Sequence, residues 1–230
     1  GSNGVIIITT KGGNFGTGKT SEKIKVEYNS FVSLDRVANR LYFLSGQELR
    51  DYAAEIGSQN FQDNGANTDW MDEIYRTGIS QQHTLAFSKS DENTSYRASI
   101  SANNLTGVLK GTRKDRYIAR INIAQKAFDD KVTFTARLSG TIEKNEYVKY
   151  DDGSAPDNVI YQAMRRSPTD PVYNPDGTFF ETDRNFQYNN PVALIDQIQN
   201  NRDAKRLLGN FGMTYDINKN WRITLNSAVG

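Results

Sequence analysis

Gly4 to Thr20 reads GVIIITTKGGNFGTGKT, and two folds compete for it. Taken by itself, the stretch is a buried strand, Val5 to Thr10, running into a phosphate loop. Gly13, four residues, then Gly18-Lys19-Thr20 satisfies the pattern GxxxxGK[ST]. In that pattern backbone N–H groups cradle phosphates, the lysine reaches the β/γ oxygens and the hydroxyl holds Mg²⁺. Taken as the end of a module, Val5 to Thr10 is a last strand and Lys11 to Glu22 is a Gly/Thr/Lys linker.

The residues that follow separate the two. A phosphate loop has to open a helix, because the helix N-terminus supplies the converging N–H donors. After Thr20, Ile24, Val26 and Tyr28 alternate with Lys25, Glu27 and Asn29. That is period 2, a half-buried strand, and not period 3.6. No later apolar strand ends in an Asp suited to the second Mg²⁺ site. The nucleotide-binding reading of residues 13–20 stays as the lesser alternative.

The wider sequence excludes several classes. In 230 residues, 28 Lys and Arg balance 27 Asp and Glu, which leaves no basic excess for a nucleic-acid partner. There is no cysteine and one histidine, His83, so thiolate and histidine metal centres are not expected. Mean hydropathy is −0.68, and no stretch approaches the ~20 apolar residues of a membrane helix. A transmembrane strand needs only about 9–11 residues, and every second one meets lipid, so barrels look hydrophilic on average.

From Lys23 onward the alternation recurs in seven segments. The first is about Lys23 to Leu34, with Phe31 out of pattern. The others centre on Leu85 and Phe87, on Tyr96 to Ala102, on Tyr117 to Ile123, on Val132 to Leu138, on Phe211 to Tyr215 and on Trp221 to Leu225. Turn signals near residues 90, 129 and 219 make alternate connections short. Of the other three, the middle one is of medium length and Gly/Lys-rich and the outer two are long, and helical periodicity appears inside those two. Ser45-Gly46-Gln47-Glu48 is a capping box. Thr68-Asp69 and Asp157-Asn158 start short helices, and Asn190 caps another with Pro191 at its first position. The expected fold is all-β with short helices in loops: an antiparallel up-and-down meander.

Two stretches also carry a resemblance. NGVIIITTKGG resembles the end of the plug domain of SusC/RagA-type TonB-linked outer-membrane transporters. Thr68 to His83, TDWMDEIYRTGISQQH, with the later TSYRASISANNLTGVLKG, resembles the same family in the same order. The resemblance implies a last plug strand at 1–11, a linker at 12–22 and the N-terminal part of a large transmembrane barrel at 23–230, with long helical loops at 35–79 and 143–205. The chain is expected to be a segment of a longer protein. The implied activity is TonB-dependent uptake of a glycan, oligosaccharide or peptide across the bacterial outer membrane, without catalysis. The implied partners are TonB, a SusD-like surface lipoprotein, the substrate and the lipid bilayer. The alternative is a soluble β-rich carbohydrate-binding or adhesion module, because alternation alone also describes a sandwich sheet.

No catalytic, cofactor or metal residue is expected, and no ligand-binding residue is assigned. His83 shares the apolar side of its strand and reads as structural. Asp129-Asp130 and Asp151-Asp152 read as solvated turns. Arg165-Arg166 reads as a basic helix end. Trp70, Tyr161, Tyr173, Phe179, Phe180, Phe186 and Tyr188 lie in the connections, where stacking on sugar rings and packing of small loop cores are both open.

Overall fold

The computed structural model describes residues 23–150, 156–182 and 189–230. The strand expected at Val5 to Thr10, the phosphate-loop pattern at 13–20, Asp151-Asp152, Phe186 and Tyr188 lie outside the described residues.

Seven strands form one sheet: β1 (Lys25–Asp35), β2 (Gly78–Ser90), β3 (Thr94–Thr106), β4 (Arg113–Ala127), β5 (Val132–Tyr147), β6 (Asn200–Asn218) and β7 (Trp221–Val229). Their spatial order is their sequence order, and every neighbouring pair is antiparallel. The expected meander is therefore the observed one. Its short connections lie where the turn residues point. Asp91 accepts from the N–H groups of Asn93 and Thr94, and Asn218 accepts from those of Asn220 and Trp221. Between β4 and β5, Phe128, Asp129 and Asp130 all have positive φ. Aspartate tolerates that left-handed conformation better than most residues.

The strands run longer than the apolar alternation predicts. The last long connection shrinks from 143–205 to 148–199, and the first from 35–79 to 36–77. The reason is that charge takes over from apolar packing near that end. Lys144 stands opposite Asp115 on β4 and Asp203 on β6, and Arg116 and Lys114 both pair with Glu143. Polar alternation carries no hydrophobic signal, yet the ladder hydrogen bonds continue.

Register sorts the side chains into two faces. One carries Val26, Phe87, Ala98, Ile121, Leu138, Gly209 and Val229 in a single paired row, with apolar rows on either side. The other carries Arg97, Asn122, Arg137 and Asn210 in a row, between further rows that are mostly Ser, Thr, Arg and Asn, with Ala124, Ile118 and Leu208 among them. Among the described residues nothing covers the apolar face: Phe134 is 43% exposed, Leu138 39% and Leu207 69%. A sandwich would have buried them under a second sheet.

The long connections contain helices α1 (Gly46–Glu55), α2 (Trp70–Ile74), α3 (Val159–Arg165) and α4 (Pro191–Gln197). Each starts where its cap residue stands. Ser45 and Glu48 close the capping box, and Asp69, Asn158 and Asn190 accept from the first-turn N–H groups of their helices.

Candidate functional site

The two long connections and the shorter β3–β4 connection (107–112) leave the same end of the sheet and build one small cap there. Its core takes Trp70, Met71 and Ile74 from α2, Leu109 from the β3–β4 connection, Val159 and Ala163 from α3 and Val192 from α4. Backbone pairing crosses between the connections. Ala66 N–H donates to Thr169 O at 3.0 Å, Thr68 N–H to Pro168 O at 2.8 Å and Lys110 N–H to Ile74 O at 2.8 Å.

The loop aromatics are thereby decided in part. Trp70 is 4% exposed, and its indole N–H donates to Ser167 O at 2.8 Å. Phe179 packs against the same core and stacks tilted on Tyr173. Trp70 thus holds the cap together and is not open to a sugar ring. Tyr161 receives a hydrogen bond from Arg165 on its hydroxyl at 2.6 Å.

Arg166 is the electrostatic centre of the cap. Its guanidinium is buried, 3.0 Å from Asp170 and 3.3 Å from Glu181, and donates to Phe180 O at 2.7 Å. It also lies over the rings of Trp70 and Phe180. Arginine suits this place because its planar fork satisfies several acceptors while its face stacks on an aromatic. The Arg165-Arg166 pair therefore works inside the cap. On the sheet, His83 accepts or donates at Nδ1 with Tyr28 Oη at 2.8 Å and Ser30 Oγ at 3.0 Å, a structural role on the apolar face.

Two features remain that could meet a ligand or partner. The first is a cavity of about 540 Å³ between residues 40–45, the starts of α1 and α2 and the end of α3. Its outer wall is Leu41-Tyr42-Phe43-Leu44, four consecutive apolar residues that all stay exposed. Tyr42 is tied to Glu48 of the capping box, and Arg40 to Asp72. Glu48 is held below the usual carboxylate range, first by the Tyr42 hydroxyl and then by the backbone and side chain of Ser45. An apolar run directly before a capping box is visible in sequence, and it marks this wall.

The second feature is the polar face. Glu27 binds Arg97 at 2.7 Å, and Glu143 binds Arg116 at 2.7 Å and Lys114 at 3.1 Å. Arg120, Arg137 and Arg206 stand in adjacent rows and have no ion pair among the described residues. Alternation assigns each arginine to the polar side of its own strand; only register brings them together. Among the described residues no group of three His, Asp or Glu side chains could hold a metal ion.

The apolar band crosses the paired rows diagonally. Followed along its row, Val26 of β1 leads to Gly209 of β6, but the β6 band continues six residues further, to Tyr215. Followed back from Leu207, the row reaches Tyr28, and the β1 band continues six residues further, to Leu34. At ~3.3 Å per residue and ~4.8 Å per strand, this drift over five strand steps is a tilt of about 40°. Strands of outer-membrane barrels tilt by ~35–45°. An antiparallel meander with a bare, tilted apolar band on one side and charge on the other is the wall of a large transmembrane β-barrel.

Comparison with known proteins narrows the class. The chain is 30% identical over its full length to the TonB-dependent receptor SusC of Bacteroides thetaiotaomicron, of which it covers 24%. It is 30% identical over 94% of its length to the TonB-dependent receptor P3 of Formosa agariphila, of which it covers 21%. Its fold matches the RagAB peptide importer in the closed-closed state with a TM-score of 0.74 at 16% identity, covering 95% of this chain and 28% of that one. No family model matches. By sequence and fold, the chain is related along its whole length to the SusC/RagA type of TonB-dependent receptors. It spans about a quarter of the length of the curated relatives it matches.

Proposed function

We propose that the chain acts within a full-length TonB-dependent transporter of the bacterial outer membrane, as its last plug strand (1–11), its linker (12–22) and the N-terminal part of its barrel (23–230). The transporter takes up a glycan, oligosaccharide or peptide, powered through TonB, and makes or breaks no bond. One observation carries the reading: the uncovered apolar band, tilted as a barrel wall has to be. A soluble carbohydrate-binding or adhesion module would leave that contiguous apolar band in water, and large exposed apolar patches are rare on monomeric soluble proteins.

The same reading assigns the two ends. Strand β1 follows the plug and runs outward, so the cap faces the cell exterior and the short turns face the periplasm. The exposed run Leu41 to Leu44 is the part of the cap best suited to a SusD-like surface lipoprotein, because partners cover contiguous exposed apolar patches. Cysteines at Glu55 and Asp176 should react with a membrane-impermeant label on intact cells, and one at Glu92 should stay protected. Deletion of the host's TonB should abolish uptake. The reverse labelling pattern refutes the orientation, and uptake that persists without TonB refutes the transport reading.

A further inference from the structure

We infer that the polar face carries a ladder of cations that binds a polyanionic solute, an oligomer bearing carboxylate or sulfate groups. The inference rests on the transporter reading above and names the substrate class for it. From the middle of the apolar band towards the cap, the polar face presents Arg137, Arg120, Arg206, Arg116, Lys114 and Arg202 in successive rows of β4, β5 and β6. On these three strands the same rows hold one carboxylate, Glu143, which Arg116 and Lys114 already share. Arg120, Arg137 and Arg206 have no ion pair among the described residues.

The neighbours on this face add donors and no acid, with Ile118 and Leu208 as apolar spacers between the cations. Ser139 stands opposite Arg120, Asn122 and Asn210 stand opposite Arg137, and Thr141 stands opposite Arg206. Guanidinium forks bind carboxylate and sulfate oxygens in pairs, and hydroxyl and amide N–H or O–H groups complete such a shell. A low-dielectric wall behind the charges focuses their field on the lumen. Rings and rows of Arg and Lys are how pores select anions.

The extent of the ladder is what carries the solute reading. The cations continue row after row to the cap end, where the long connections open. That is the course of an entering oligomer, passed from one guanidinium to the next.

The test uses the full-length transporter in detergent and two probes, tetragalacturonate and the neutral maltotetraose. Calorimetric titration should show tetragalacturonate binding more tightly, with affinity falling as salt rises. Arg137→Gln alone should weaken that binding about tenfold, and Arg120→Gln/Arg137→Gln/Arg206→Gln on the order of a hundredfold. Arg137→Lys should retain the salt dependence, and maltotetraose binding should not change in any variant. If the triple variant does not fold, the three single variants carry the test. Equal affinity for the two probes, or unchanged tetragalacturonate binding in the variants, overturns the proposal. So does a variant that only makes the region before Lys23 protease-sensitive, which would mean that an acidic protein surface occupies the ladder. TonB-dependent uptake that favours neutral oligomers overturns this inference alone, whereas anion binding without TonB-dependent uptake overturns the transport reading alone.

Discussion

Asn190 shows how one side chain can close a connection of fifty residues. It is fully buried, and its carboxamide is saturated: Oδ1 accepts from Val192 and Ala193, and Nδ2 donates to Val172 O at 2.8 Å and Phe180 O at 3.1 Å. Asn190→Ala removes the helix cap and leaves two carbonyls without their donor, at an expected cost of about 1–3 kcal/mol. Asn190→Asp keeps the cap but turns a buried carboxylate oxygen towards the carbonyls of Val172 and Phe180, beside the Glu181 carboxylate, so it should cost at least as much as Asn190→Ala. Protease cleavage within 148–199 under native conditions measures both. Gly78 illustrates a different constraint. A Cβ there would sit 2.3 Å from Thr106 O, a backbone atom that cannot swing aside, whereas a Cβ at Gly140 would meet nothing within 4 Å. Gly78→Ala should destabilise by about 1–3 kcal/mol, as overpacking does, and Gly140→Ala should be nearly neutral. Urea midpoints of the protein refolded into vesicles would separate them. The cap role of Asn190 is legible in sequence from Asn-Pro before a helix. Its two long-range donors are not, because Val172 and Phe180 reach it only through tertiary folding.

At the scale of elements, the strands were legible wherever one side was apolar and ceased to be so where both sides turned polar. β5 illustrates this: alternation from Val132 to Leu138 is plain, while Glu143 to Tyr147 reads as loop and is held as strand by cross-strand charge. The helices were legible through their caps, Ser45 with Glu48, Asp69, Asn158 and Asn190. Their assembly into one cap was not, because it depends on backbone pairing between residues about a hundred apart, such as Thr68 with Pro168. Within that cap, the connection from α1 to α2 is fastened by Arg50, whose guanidinium holds both oxygens of Asp63 and also Ala66 O. The Arg50 hydrogen bond, with help from the Gly65 N–H, lowers the Asp63 pKa to about 2. A carboxylate with a lowered folded pKa stabilises above its unfolded value of ~3.9 and loses that contribution as pH falls through the folded value. Residues 50–66 should therefore loosen between about pH 4 and pH 2, seen as faster amide exchange. Asp63→Asn should already be loosened at pH 7 and show no such acid step. An acid step that survives the substitution would assign it to another carboxylate.

At the scale of the whole molecule, the two faces decide what the protein is, and the depth of each residue in the apolar band makes that testable. On β5 the band runs from Val132 to Ile142, eleven residues by sequence. A strand crossing a bilayer takes about that many. Leu138 lies near its middle and Phe134 near the edge at the short turns, while Thr135 faces the other way, opposite Gly212 on β6. In lipid, an arginine near the midplane costs about 2–4 kcal/mol and one near the interface about 0–1 kcal/mol, because the side chain can snorkel to water. Leu138→Arg should therefore be the most damaging change, Phe134→Arg milder, and Thr135→Arg nearly silent because it enters an already polar lumen. Folding of the full-length protein into vesicles, followed by denaturant titration, gives the ranking. A soluble sheet makes a different ranking, with Leu138→Arg and Phe134→Arg equally severe under a covering layer. Graded loss by depth separates a bilayer from a protein core, since only the bilayer has an interface within reach of an arginine at residue 134.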